Sequence, residues 1–206
     1  MLATNTTLAQ HLLPRTNPLA RDIGLAIAGS VLMALCAQIS IPLPFTPVPI
    51  TMQTFGVLLI GALYGPRLGA LTMVLYLLEG LAGLPVFAQG RNAWTPSSIP
   101  GIPVIIGPTA GYLFSYPLAA ALVGFLAQRG WDRRVVTAIP AMALGNGVIL
   151  LFGFIWLAIA TSLLKGAVSL PALLNAAVLP FLPGDAFKLL LAALALPGGW
   201  ALLGKK

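Results

Sequence analysis

Long apolar runs separated by short clusters of proline, glycine and charge fill the chain from Ile23 to Leu203. The runs lack the strict alternation of a half-buried strand and most exceed strand length, so they predict helices. Six are expected to cross a bilayer: Ile23 to Ile41, Thr51 to Tyr64, Leu68 to Leu84, Thr109 to Gln128, Val135 to Leu164, and a last one opening at about Asp185. The second is short against the ~20 residues that a crossing helix needs. Pro42, Pro44, Pro47 and Pro49 precede it in a stiff, helix-incompatible loop. That loop is expected to dip into the membrane, with Thr51 and Gln53 at its depth, where protein or water satisfies the backbone. The length of the fifth run predicts tilt or a break near Pro140 or Gly145. Ser169 to Leu182 reads as a short interfacial helix. Pro85 to Gly107, with four prolines, aromatic rings and polar side chains, is long enough to predict a functional lid.

Composition settles the solvent for these helices. Hydrophobic residues make up 59% of the 206 and charged residues 7%, with a mean hydropathy of +0.98. A soluble domain carries about 25% charged residues, so the chain is expected to be an all-α integral membrane protein. Its expected layout is a tail at 1–22, a six-helix membrane domain at 23–203 and a short C-terminus at 204–206. A transmembrane barrel would need alternating polar lumen positions, which the long apolar runs exclude. The net charge of +7 does not point to nucleic acid, because the basic residues are scattered between apolar runs. With six crossings, Arg15, Arg21, Arg67, Arg129, Arg133, Arg134, Lys205 and Lys206 fall on one side, and only Arg91 and Lys165 on the other. This bias places both termini in the cytoplasm. The Pro-rich loop, the long loop and the Asp185 end then converge on the outer face.

The chemistry available at that face is that of a binding pocket: apolar and aromatic walls with few polar groups. Asp185 and Lys188, at i and i+3, are two opposite charges at the mouth of an apolar segment, where each costs ~2.5 to 3.5 kcal/mol at mid-depth and reads by default as functional. Asp185 offers acceptors, while Lys188 and the open helix start offer donors. Thr51, Gln53, Gln89, Arg91, Asn92 and Tyr112 are further candidates, with the rings of Phe45, Phe87 and Trp94. Glu79 has no evident local partner, and Asn146 reads as a helix-packing residue. Ala26, Ser30 and Ala34 recur at four-residue spacing on the first helix, beside a second small series at Gly24 and Ala28. Such a smooth face suits close helix approach, within the chain or from a partner. Catalysis is poorly supported: the one histidine, His11, lies in the tail, Asp185 and Glu79 belong to different loop margins, and no phosphate-binding Gly-x-x-x-x-Gly-Lys-Ser/Thr occurs. Neither a cofactor nor a metal site is expected, and the lone Cys36 implies no disulfide.

Five blocks carry a resemblance to a known family. They are Pro47-Val48-Pro49-Ile50-Thr51-Met52-Gln53-Thr54, Gly61-Ala62-Leu63-Tyr64-Gly65-Pro66-Arg67-Leu68-Gly69, Leu81-Ala82-Gly83-Leu84-Pro85-Val86-Phe87-Ala88, Gly107-Pro108-Thr109-Ala110-Gly111-Tyr112-Leu113, and Leu182-Pro183-Gly184-Asp185 with Lys188. In this order, across about residues 21 to 196, they resemble the BioY family, the biotin-binding substrate-capture (S) components of energy-coupling-factor (ECF) transporters. The resemblance implies high-affinity biotin uptake, with Asp185 and Lys188 binding the ring system and Gln53 and Tyr112 lining the same pocket. It implies that Arg91 meets the valerate carboxylate and that the Ala26, Ser30 and Ala34 face docks on a transmembrane coupling (T) component driven by two ABC-type ATPases. The stretch from Gln89 to Pro103 is longer and richer in proline and serine than the family's compact loop. The alternatives are an S component for another vitamin and an intramembrane enzyme.

Overall fold

In a computed structural model, residues 7–9, 17–165 and 168–203 are described. His11, Arg15, Lys205 and Lys206, most of the expected tail and the 204–206 segment lie outside the described residues. From Pro18 on, the described residues form seven α-helices in succession: α1 (Pro18–Gln38), α2 (Gln53–Tyr64), α3 (Pro66–Leu81), α4 (Ala110–Gln128), α5 (Val135–Lys165), α6 (Leu170–Ala177) and α7 (Leu182–Leu203). A two-residue antiparallel ribbon, β1 (Ser40–Ile41) with β2 (Ile50–Thr51), closes the neck of the Pro-rich loop.

Helix α1 starts five residues ahead of the expected Ile23. Asn17 caps it, Oδ1 accepting the Leu19 N–H at 3.0 Å, and Pro18 occupies the first helical position. Arg21 and Asp22, paired at 2.9 Å, are therefore part of the helix. Helix α7 likewise starts early, at Leu182. Pro183 sits in the first turn, where its missing N–H costs nothing, and the Asp185 N–H closes that turn on the Phe181 carbonyl at 2.8 Å. Of the tilt or break expected in α5, the break is absent. The helix is continuous over 31 residues, about 46 Å at 1.5 Å per residue. Gly145 serves close packing instead, because a Cβ there would collide with Val123 of α4 and sit 2.7 Å from Leu58 Cδ2 of α2.

Among the described residues three helices, α1, α4 and α5, are long and apolar enough to cross a membrane, and a fourth is gained if α6 and α7, bent by 42°, form one broken crossing. Helices α2, with 12 residues, and α3, with 16, fall short of the ~20 needed. Helix α4 is the central element, carrying a nearly continuous buried surface of small residues, tyrosines and valine against α2, α3 and α5. Helix directions set two ends. The start of α2, the end of α3 and the starts of α4 and α7 meet at one, while the α2–α3 turn with Arg67 and the Arg129–Arg134 loop meet at the other.

Candidate binding cavity

At the first of these ends the Pro-rich loop, the long loop and the α6–α7 region come together. Thr46 donates to the Ala176 carbonyl at 2.6 Å, and Ser98 donates to the Pro47 carbonyl at 2.9 Å. Between them lies a cavity of about 210 Å³ whose walls include Thr51, Gln53, Thr54, Phe87, Gln89, Arg91, Tyr112, Tyr116, Asp185 and Lys188. Eight of the eleven candidate ligand residues therefore line one space; Asn92, Phe45 and Trp94 do not.

The cavity's ion pair is almost wholly buried, Asp185 at 3% exposure and Lys188 at 5%. Lys188 Nζ lies 3.0 Å from Asp185 Oδ1 and donates to Thr54 Oγ1 at 3.1 Å. Asn146 Nδ2 donates to the other carboxylate oxygen, Oδ2, at 3.0 Å. Asn146 is thus a partner of the pair as well as a packing residue. Its polarity inside an apolar run was the only sequence signal, since the bond joins residues 39 positions apart. An ammonium has three N–H donors and each carboxylate oxygen two acceptor positions. After these bonds one donor on Lys188 and one acceptor position on each Asp185 oxygen remain.

A second chain of bonds ties the wall to the long loop. Gln53 Oε1 accepts from Thr51 Oγ1 at 3.0 Å, its Nε2 donates to Tyr76 OH at 2.8 Å, and Tyr76 OH donates to the Val86 carbonyl at 2.9 Å. Tyr76 was not anticipated; a lone tyrosine in an apolar helix carries no signal of its register. The Phe87 ring is buried edge-on to Tyr76, with centroids 5.4 Å apart. It lies flat against α3 because residue 80 is glycine: a Cβ there would run into the ring. Gln38, at the end of α1, accepts the Gly90 N–H at 2.9 Å and donates to the Phe87 carbonyl at 3.3 Å. Gln89 sits beside these anchors in the left-handed region, φ +64°, unusual for a residue with a Cβ. On α4, Tyr112 OH donates to the Ala177 carbonyl at 2.7 Å, and its ring packs on Phe181.

Several expectations are corrected. Asn92 faces the backbone: its oxygen accepts the Trp94 and Thr95 N–H groups, and its nitrogen donates to the Gly83 carbonyl at 3.0 Å. An asparagine turn organises the loop there and engages both polar atoms of the side chain. Phe45 and Trp94 are exposed, and Trp94 Nε1 donates to the Leu81 carbonyl. Ser30 is fully buried and donates to Glu79 Oε1 at 2.8 Å, so the partner that Glu79 lacks locally is supplied from 49 residues away. Ala26 and Ala34 are half-buried. Ser30 of the expected docking series is thus turned to α3, where it supplies a donor to a carboxylate, and Ala26 and Ala34 flank it. The face left open on α1 carries Ile23, Ile27, Val31 and Leu35 with Gly24 and Ala28.

Comparisons with known proteins identify the family and the fold. The chain is 34% identical over 184 residues to the biotin transporter BioY of Rhizobium etli, covering 84% of this chain and 90% of that one. It is 36% identical over 139 residues to the probable biotin transporter BioY of Pyrococcus horikoshii, covering 68% and 75%. A crystal structure of the S-component for biotin from an ECF-type ABC transporter superposes with a TM-score of 0.70 at 24% identity, over 88% of this chain and 92% of that one. At that identity the likeness carries the fold. The family model described as BioY matches residues 5–205, and the chain belongs to the BioY family.

Proposed function

We propose that this membrane protein is the substrate-binding S component of an ECF-type transporter, capturing biotin at the outer face of a prokaryotic cell membrane and delivering it inward. The observation that carries the proposal is the buried Asp185–Lys188 pair in the cavity wall, with one donor and two acceptor positions unused. Biotin's ureido group presents two N–H donors and one carbonyl, which complement that set. Arg91 serves the valerate carboxylate. The chain has only four acidic residues, and all are engaged elsewhere: Asp22 by Arg21, Glu79 by Ser30, Asp132 by Trp200 and Asp185 by Lys188. Among the described residues Arg91 forms no ion pair with any of the four. Gln53, Tyr112, Thr51, Phe87 and Gln89 complete the walls.

The chain crosses the membrane six times, with both termini cytoplasmic and the cavity facing out. Support comes from the concentration of arginines at the end opposite the cavity and from the fold shared with an ECF S component. The short α2 and α3 reach across with the help of the loops that precede and follow them. Transport requires a transmembrane T component and two ABC-type ATPases, which dock through the open face of α1 with its small residues Gly24 and Ala28. The protein is a binding subunit in lipid, without enzymatic activity and without nucleic acid as a partner.

Equilibrium titration of purified Asp185→Asn and Lys188→Ala proteins with biotin tests the site. Each is expected to lose tight binding while remaining monodisperse in detergent. Unchanged affinity in both would discard it.

A further inference from the structure

Asn146 stands in α5 between Gly145 and Gly147 and is 5% exposed. Without a Cβ at Gly145, α5 approaches α4 and α2 closely at this level. The Asn146 side chain thereby comes within 3.0 Å of Asp185 Oδ2 on α7. Its own Oδ1 is buried and has no hydrogen-bond partner among the described residues. A buried acceptor without a partner carries a desolvation penalty, which an apolar side chain of the same size would avoid. Packing alone therefore does not account for an amide at this position. The bond to Asp185 does, and it also sets the amide's orientation. Turned over, Oδ1 would face a carboxylate oxygen, two acceptors against each other.

We propose that Asn146 is a positioning residue that sets ligand specificity: its amide holds Asp185 as an acceptor-only carboxylate, turned toward the cavity to read N–H donors on the ligand. This rests on the assignment of the cavity to biotin. Lys188 holds one oxygen of Asp185 and Asn146 the other. With both anchored, rotation about the carboxylate is blocked, and the unused acceptor position on each oxygen keeps a fixed direction. Lys188 alone does not achieve this, because it leaves Oδ2 unbound and divides its ammonium between Asp185 and Thr54. A ring that presents two N–H groups fits such a carboxylate. A ring with an alkylated nitrogen at that edge meets an acceptor with nothing to offer it.

The test is biotin binding to the purified full-length chain at pH 6 to 8, for the unaltered protein and for Asn146→Leu, Asn146→Ser and Asn146→Asp, with melting temperatures measured alongside. Lys188 on its own helix and Asn146 on α5 bond to Asp185, and Tyr112 and Tyr116 on α4, Gln53 and Thr54 on α2 and Arg91 of the long loop line the cavity with it. Unaltered protein is expected to bind independently of pH in this range. Asn146→Ser keeps a hydroxyl donor and stays within about tenfold, because a charge-assisted bond survives. Asn146→Leu loses roughly ten- to a hundredfold, the range that a hydrogen bond to a charged group is worth. Asn146→Asp has nearly the same volume but opposes two carboxylates, which share a proton. Its affinity is expected to rise as pH falls, since the protonated partner then donates as the amide did. Asn146→Leu within threefold of the unaltered protein, or Asn146→Asp binding without pH dependence, overturns the role of Asn146 alone. Failure of the unaltered protein to bind biotin overturns the assignment of the cavity itself.

Discussion

Replacing Lys188 by methionine leaves the Asp185 carboxylate inside the protein with Asn146 as its one remaining side-chain donor among the described residues. Both members of the pair are at most 5% exposed, and removing one partner from such a pair costs about 3 to 5 kcal/mol, because the other charge is left uncompensated. For a chain of this length, each kcal/mol corresponds to roughly 2–4 °C. Lys188→Met is therefore expected to lower the melting temperature in detergent by roughly 6–20 °C. Adding Asp185→Asn removes the stranded charge, and a neutral buried pair is commonly as stable as the ionic one. The double variant should recover most of that loss, yet it cannot recover biotin binding. Three charge-assisted hydrogen bonds to the ureido group, at about 1.5 kcal/mol or more each, amount to at least about 4.5 kcal/mol. That corresponds to more than a thousandfold in affinity at 1.4 kcal/mol per tenfold. Differential scanning fluorimetry and isothermal calorimetry on the same preparations separate the two effects. A double variant that binds within tenfold of the unaltered protein would refute the ureido assignment. One that melts as low as Lys188→Met would refute the buried-charge argument.

Other consequences concern the walls and the far end. Gly80→Ala drives a methyl group into the Phe87 ring; overpacking of this kind costs about 1–3 kcal/mol, and weaker biotin binding together with a lower melting temperature is expected, whereas unchanged values would mean that the loop yields freely. Ala28→Trp on the open face of α1 should leave biotin binding intact and reduce uptake in cells carrying the whole transporter; normal uptake would place docking elsewhere. Asp132, in the α4–α5 loop, is buried and bonded to Trp200 Nε1, and burial raises its carboxyl above the usual range. The folded state then holds its proton to higher pH than the unfolded chain, so stability declines as pH rises from about 4 through the raised value and is level beyond it. Asp132→Asn keeps an acceptor for Trp200 and should abolish that slope in melting temperature; a slope that persists would assign it to another group.

What the sequence made legible was local. Asp185 and Lys188 stand one helical turn apart in an apolar run, so their pairing needs no tertiary information. The clusters of proline marked every long connection that borders the cavity. Helix starts were misplaced where cap chemistry outweighed hydropathy, at Asn17-Pro18 and at Leu182-Pro183, because a proline that ends one helix also fits the first turn of the next. The polar partners across helices were not legible. Ser30 with Glu79, Asn146 with Asp185 and Gln53 with Tyr76 are joined only once the helices pack. The small-residue spacing on α1 was real, but spacing does not say which of two adjacent small series turns inward. Glu79 decides that, by drawing Ser30 to α3. Asn92 was misread for the same reason: its partners are backbone groups of a loop whose path the sequence does not reveal.

The most direct test is a calorimetric titration of the purified, unaltered protein with biotin beside riboflavin, thiamine and other vitamins. One site per chain, taking biotin tightly and the others at least a thousandfold more weakly, is the predicted result. No binding of biotin, or tighter binding of a vitamin without a ureido group, would contradict the assignment of the Asp185–Lys188 cavity.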